Sequence, residues 1–157
     1  MASTDQWILQ QAYTSALVTM TNFDSLAAGS WAKGSTAVTA GLLDQYGRFS
    51  FVLKVGGTTV AGDYIALYGL PINADATTYA DNVSAGSTLP SSTYLLGTCF
   101  VAGGITTGNF VYGSIPFYMP ERSFLFGVAN RLTVALAADS HTSCFAHYAT
   151  FRDNLNA

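Results

Sequence analysis

Charge is the scarcest commodity in this chain. Only 10% of its 157 residues are Asp, Glu, Lys or Arg, against roughly 25% in an average soluble domain. Surface polarity must therefore come from Ser, Thr, Asn, Gly and tyrosine hydroxyls, and copies of the chain repel one another little. The six basic residues, Lys33, Arg48, Lys54, Arg122, Arg131 and Arg152, form no run and do not interleave with aromatics. That argues against a nucleic-acid partner. The first twenty residues contain no Lys or Arg and include Asp5, so they do not read as a secretory signal. No apolar run reaches the roughly 18 residues needed to cross a bilayer, and no membrane partner is expected. Cysteine is scarce too. Cys99 and Cys144 make no disulfide framework. Both sit in apolar alternating segments and read as buried, reduced thiols, with a single bridge between neighbouring strands left open.

Helical periodicity is also missing. What is present is short alternating runs punctuated by Gly, Asn, Asp and Pro, an all-β pattern. Candidate strands are 14–21, 35–40, 47–55, 63–71, 94–102, 110–119, 122–130, 131–137 and 143–151. In 47–55, Phe49, Phe51, Leu53 and Val55 point one way and Ser50, Val52 and Lys54 the other. In 110–119, Phe110, Tyr112, Ser114 and Tyr118 share one face, and Val111, Ile115 and Phe117 the other. The run 63–71, DYIALYGLP, is almost continuously apolar, as expected of a strand between two layers. Segments 122–130 and 131–137 read as a hairpin about Ala129-Asn130, with Phe124, Phe126 and Val128 in the core. Residues 72–93 form a long polar connection, and such loops are commonly functional or interfacial. About eight strands in one domain predict a single antiparallel β-sandwich, jelly-roll-like. Residues 13–157 would form it, with 1–12 as an N-terminal arm or the first strand. At this length roughly two-thirds of the unfolded surface is buried, so the domain needs no staples.

Catalytic signatures are thin. His141 and His147 are the only histidines, short of the three or four ligands a transition-metal site needs. His147 alternates with Phe145 and Phe151 and belongs within a sheet. The triplet Asp139-Ser140-His141 is adjacent in sequence, whereas triad residues meet in space; it reads as a polar turn. Glu121 is the only Glu, and Asp24, Asp44, Asp63, Asp75, Asp81 and Asp139 have turn contexts. Asn73, Asp75, Asp81 and Asn82 would be a calcium ring only outside the EF-hand spacing. No catalytic residue, metal ligand or cofactor is therefore assigned.

Aromatics are the excess, at 13%, with nine Tyr and two Trp. They suit a β core and a protein interface, and equally a carbohydrate platform. A mean hydropathy of +0.31 hints at apolar surface buried against a partner. The Trp7-Ile8-Leu9 patch reads equally as a first strand or as an arm that docks on a neighbour.

Several stretches carry a resemblance. SLAAGSWAKGSTAV (25–38), YIALYGLPINADATTYAD (64–81), LLGTCFVA (95–102), IPFYMPERSFLFGVAN (115–130) and LTVALAADSHTSCFAHYATF (132–151) are similar to segments of the small β-sandwich decoration (cement) and head-structural proteins of tailed bacteriophages. The chain lacks the Gly that often follows the Asn at the position of Asn130 in that family. The resemblance implies a virion protein assembled in the host cytoplasm. It would be a homo-oligomer, a trimer in the favoured form, bound across junctions of the major capsid protein. Expected partner contacts are Trp7, Ile8, Leu9, Trp31, Tyr79, Pro120, Glu121 and Arg122, with Pro116 and Pro120 shaping a loop. A carbohydrate-binding module is the alternative, as is a tail or head-fibre component on the same fold. A jelly-roll enzyme rests on fold analogy alone.

Overall fold

A computed structural model describes residues 7–15, 23–34, 37–38, 46–72, 88–120, 123–138 and 145–153. It contains eight strands: β1 (Trp7–Ser15), β2 (Trp31–Lys33), β3 (Tyr46–Lys54), β4 (Tyr64–Pro71), β5 (Leu95–Phe100), β6 (Phe110–Tyr118), β7 (Phe124–Arg131) and β8 (Phe145–Asp153). The first sheet has the order β1-β8-β3-β6 and the second β2-β7-β4-β5. All pairings are antiparallel. The chain crosses repeatedly between two four-stranded sheets, which is the double Greek key of a jelly roll. The expected all-β sandwich is the observed one.

Alternation builds the space between the sheets. Phe49, Phe51 and Leu53 of β3 and Val111, Ile115 and Phe117 of β6 face inward from the first sheet. Ile65 and Leu67 of β4, with Phe124, Phe126 and Val128 of β7, meet them from the second. Phe126 is the hub. Its ring lies 5.1 Å from Phe124, 5.2 Å from Phe49 and 5.7 Å from Phe117. Edge-to-face geometry at 90° and 86° with Phe124 and Phe117 sets positive ring edges against negative faces. Burying each such ring contributes about 1.5–3 kcal/mol. Two cross-strand pairs on β3 and β6 set a Phe against a Gly: Phe51 opposite Gly113, and Phe117 opposite Gly47. A Cβ at either glycine would come within 2.2 Å of the facing ring, so the rings occupy the room the glycines leave.

The second sheet is buried on its outer face as well. Trp31, Ala66, Tyr68, Leu70, Leu125 and Ala129 form a separate buried cluster there, with Leu89 and Tyr94 packed on it. The nearly continuous apolar run of β4 is thus explained as expected.

Two expectations are corrected, and two fall largely outside the described residues. Of the run 14–21 only Thr14 and Ser15 are described, as the end of β1. Of the run 35–40 only Ala37 and Val38 are described, and Val38 makes an isolated bridge to Phe124; the strand Trp31–Lys33 just before it was not expected from the sequence. There is no hairpin about Ala129-Asn130. β7 runs through both to Arg131, and Leu136 only bridges Val55. Asn130 is the reason. Its buried amide donates to the carbonyls of Leu26 (2.9 Å) and Val134 (3.0 Å) and accepts from the Leu132 N–H (3.0 Å). Those bonds draw the chain off the sheet after Arg131. Finally, Pro116 belongs to β6, opposite Arg48, rather than to a loop.

Candidate functional site

β6 is one edge of the first sheet and β5 one edge of the second, and the two lie side by side. A Cβ on Gly97 of β5 would meet Ile115 of β6, and one on Gly113 of β6 would meet Cys99 of β5. Exposed apolar side chains gather here. Among the described residues the large exposed hydrophobics are Val60, Leu95, Phe100, Tyr112 and Tyr118. Four of the five sit on β5 and β6. Phe100 is 72% exposed, Tyr112 70% and Tyr118 75%.

The outward stripe of β6 continues onto β3. Register places Tyr118 beside Tyr46, Pro116 beside Arg48, Ser114 beside Ser50, Tyr112 beside Val52 and Phe110 beside Lys54. The Ser50 and Ser114 hydroxyls lie 3.3 Å apart. The Tyr46 and Tyr118 rings are 5.1 Å apart and tilted by 46°, and the Phe110 and Tyr112 rings are 6.4 Å apart. At the Tyr118 end a half-open cleft of about 610 Å³ is lined by Tyr46, Gly47, Arg48, Leu96, Pro116, Phe117 and Tyr118. That volume falls within the range of about 300–1,000 Å³ typical of small-molecule sites. Among the described residues Arg48 is the one charged residue in this lining.

A second aromatic row crosses the outer face of the second sheet. Phe100 pairs with Tyr64, and Tyr64 with Arg131. The Phe100 and Tyr64 rings are 5.7 Å apart, and the Arg131 guanidinium lies 6.0 Å from the Tyr64 centroid, within cation–π range. Tyr68 behind them is buried. Burial pushes its phenol above the usual value, the neighbouring Tyr64 adds to that, and Arg131 opposes it.

Buried polar groups lie elsewhere and serve structure. The Asp63 carboxylate accepts from the Val60 N–H (3.0 Å), the Thr133 N–H (3.0 Å) and the Thr133 hydroxyl (3.2 Å). The Thr59 hydroxyl donates to the Ala102 carbonyl (2.8 Å) and accepts from the Ile105 N–H (3.0 Å). Asp63 is a turn residue, as expected, and it also ties two connections together. No group of three or more His, Cys, Asp or Glu among the described residues is placed to hold a metal. Cys99 is a free, partly buried thiol packed against the core.

Of the residues expected to touch a partner, the described ones fall on separate elements: Trp7, Ile8 and Leu9 on β1, Trp31 on β2 and Pro120 after β6. Trp31 is 1% exposed. Its indole lies on β7, where a Cβ at Gly127 would be 3.0 Å away, and its Nε1 donates to the Thr88 carbonyl (2.7 Å). A ring covered by its own chain offers nothing to a partner, so that expectation is corrected. Trp7, Ile8 and Leu9 begin β1, paired with Asp153, Arg152 and Phe151 of β8; of the two readings offered for them, the backbone adopts the strand. Pro120 is half-buried after β6. Tyr79, Glu121, Arg122, His141 and Cys144 lie outside the described residues, as do Asn73, Asp75, Asp81, Asn82 and Asp139. His147 stands in β8 opposite Ser50. Sequence reasoning passed over Arg48, Leu96 and Phe100 as surface contacts. The shared face of Phe110, Tyr112, Ser114 and Tyr118 was the signal that pointed to this side.

No family model matches the chain, and no curated protein matches it. Among solved structures, a carbohydrate-binding module from Cellvibrio mixtus lichenase 5A, in complex with cellotriose, aligns over 94% of this chain and 95% of that chain. The identity is 12% and the TM-score 0.40, a superposition too loose to transfer residues or ligand to this chain.

Proposed function

We propose that this chain is a non-catalytic virion structural protein, a decoration protein that binds shell subunits through the side formed by β5 and β6. The observation that carries the reading is the gathering of exposed Leu95, Phe100, Tyr112 and Tyr118 on two adjoining edge strands. Phe100 stands on the outer face of the second sheet and Tyr112 and Tyr118 on that of the first, so the surface in question is the edge where the two sheets adjoin, and exposed apolar groups there mark an interaction surface. The low charge of the chain and its resemblance to phage decoration proteins choose the class of partner. A shell offers the same junction many times, so self-association into a trimer would multiply modest contacts into firm attachment. The test is light-scattering mass on the purified chain, then co-sedimentation with shells assembled without it. A trimer that pellets with shells is the expected result; protein left in the supernatant would sink the reading.

A second reading is favoured by the cleft at Tyr46 and Tyr118. A tyrosine pair, Tyr118 exposed and Tyr46 half-buried, with a few polar groups is the construction of a saccharide site. In this reading the chain is a carbohydrate-binding module. Intrinsic tyrosine fluorescence titrated against a broad glycan panel tests it, and a flat response to every glycan would remove it.

A further inference from the structure

We propose that the cleft between β3, β6 and the start of β5 takes an acidic saccharide, with a sugar ring on Tyr118 and its carboxylate on Arg48. This rests on the saccharide-binding reading and goes further, to the charge class of the ligand.

The shape of the wall comes first. Tyr46 and Tyr118 meet at 46°, and Pro116 and Leu96 continue the apolar lining. A V-shaped wall suits a puckered ring with C–H groups on both faces better than a flat heterocycle, which needs parallel surfaces. Tyr118, being 75% exposed, presents its ring at no conformational cost to the sheet.

Charge comes second. Arg48 is exposed and outward-facing on β3. Its register neighbours are Pro116 on one side and Ala149 on the other. Neither residue type has a side-chain acceptor. Among the described residues no carboxylate meets Arg48. A guanidinium has five donors in a rigid fork, and a carboxylate satisfies two of them at once. The chain as a whole carries a formal charge of −3, so this is a positive point on an acidic molecule. A strand-forming acidic peptide fits less well, because a proline on a free edge strand discourages strand addition.

Isothermal titration of the full chain against two matched pairs tests this: trigalacturonate with its methyl ester, and 3′-sialyllactose with its methyl ester. Each pair differs in the carboxylate. The expected result is about tenfold tighter binding of the acid in at least one pair. Arg48→Gln should erase that preference, bringing the acid to the affinity of its neutral partner. Tyr118→Ala should weaken acid and neutral partner alike. Both side chains face outward, so folding is not at stake. Equal binding of acid and neutral forms would overturn the acidic assignment while leaving the saccharide reading intact. An acid preference that survives Arg48→Gln would overturn the role of Arg48. No binding of any probe would overturn both.

Discussion

On the second sheet, the outward side chains of β4 and β7 lie under other parts of the chain; on the first, those of β3 and β6 face water. Both sheets belong to one sandwich and share one core. The difference lies in the connections between strands. The chain returning at Thr88–Tyr94 packs Leu89 and Tyr94 over Trp31, Tyr68 and Leu70 and accepts a hydrogen bond from Trp31. On β3 and β6 the outward positions are Arg48, Ser50, Ser114, Tyr112 and Tyr118. One face is therefore largely covered within the molecule, and the outward positions of β3 and β6 are half-buried or exposed. A covered face contributes stability, and in the proposed function the open aromatic one contributes binding.

The largest expected effect breaks the covered side. Trp31→Ala should cost about 3–5 kcal/mol, because it opens a cavity and strips the Thr88 carbonyl of its donor. Urea unfolding with unchanged slope would measure it. A loss no larger than that of an exposed Tyr→Ala change would show that the covering layer adds nothing. Next comes the shared core. Gly113→Ala forces a Cβ into the Phe51 ring and should cost about 1–3 kcal/mol by overpacking, read from the same unfolding curves.

A smaller effect concerns pH. The folded pKa of Tyr68 is raised above its ordinary 10.0. As pH climbs past that value the unfolded chain releases this proton first, so unfolding is favoured. The stabilisation is whole below about pH 10 and is lost as pH rises toward the folded pKa. Tyr68→Phe should therefore flatten the fall in Tm between about pH 9 and pH 11 relative to the unmodified chain. An unchanged slope would deny Tyr68 that role. The smallest effect is on the open side. Tyr112→Ser and Tyr118→Ser should each move stability by no more than about 0.5 kcal/mol.

Much of this contrast was legible in the residues. The unbroken run of β4 told of two covered faces, and the alternation in β3 and β6 told of one. What escaped has local causes. β1 showed no alternation because its register shifts at Leu9/Gln11 and again at Gln11/Thr14, and such irregularities erase a period of two. Trp31–Lys33 is too short to show any period. Residues 131–137 alternate like a strand, yet Asn130 bonds inward and leads the chain away. Trp31 read as surface because its burial depends on Thr88, 57 residues further on. The cleft was invisible for the same reason. Arg48 and Pro116 become neighbours only through the β3–β6 register, which no local pattern reveals.

The most direct test of the open side is a pelleting assay with shells assembled without this protein, comparing the unmodified chain with the Tyr112→Ser, Tyr118→Ser double variant at matched folding. The unmodified chain is expected to pellet, and the double variant, equally stable, to stay in solution. Equal pelleting of both would contradict the assignment of the β6 aromatics as the docking side.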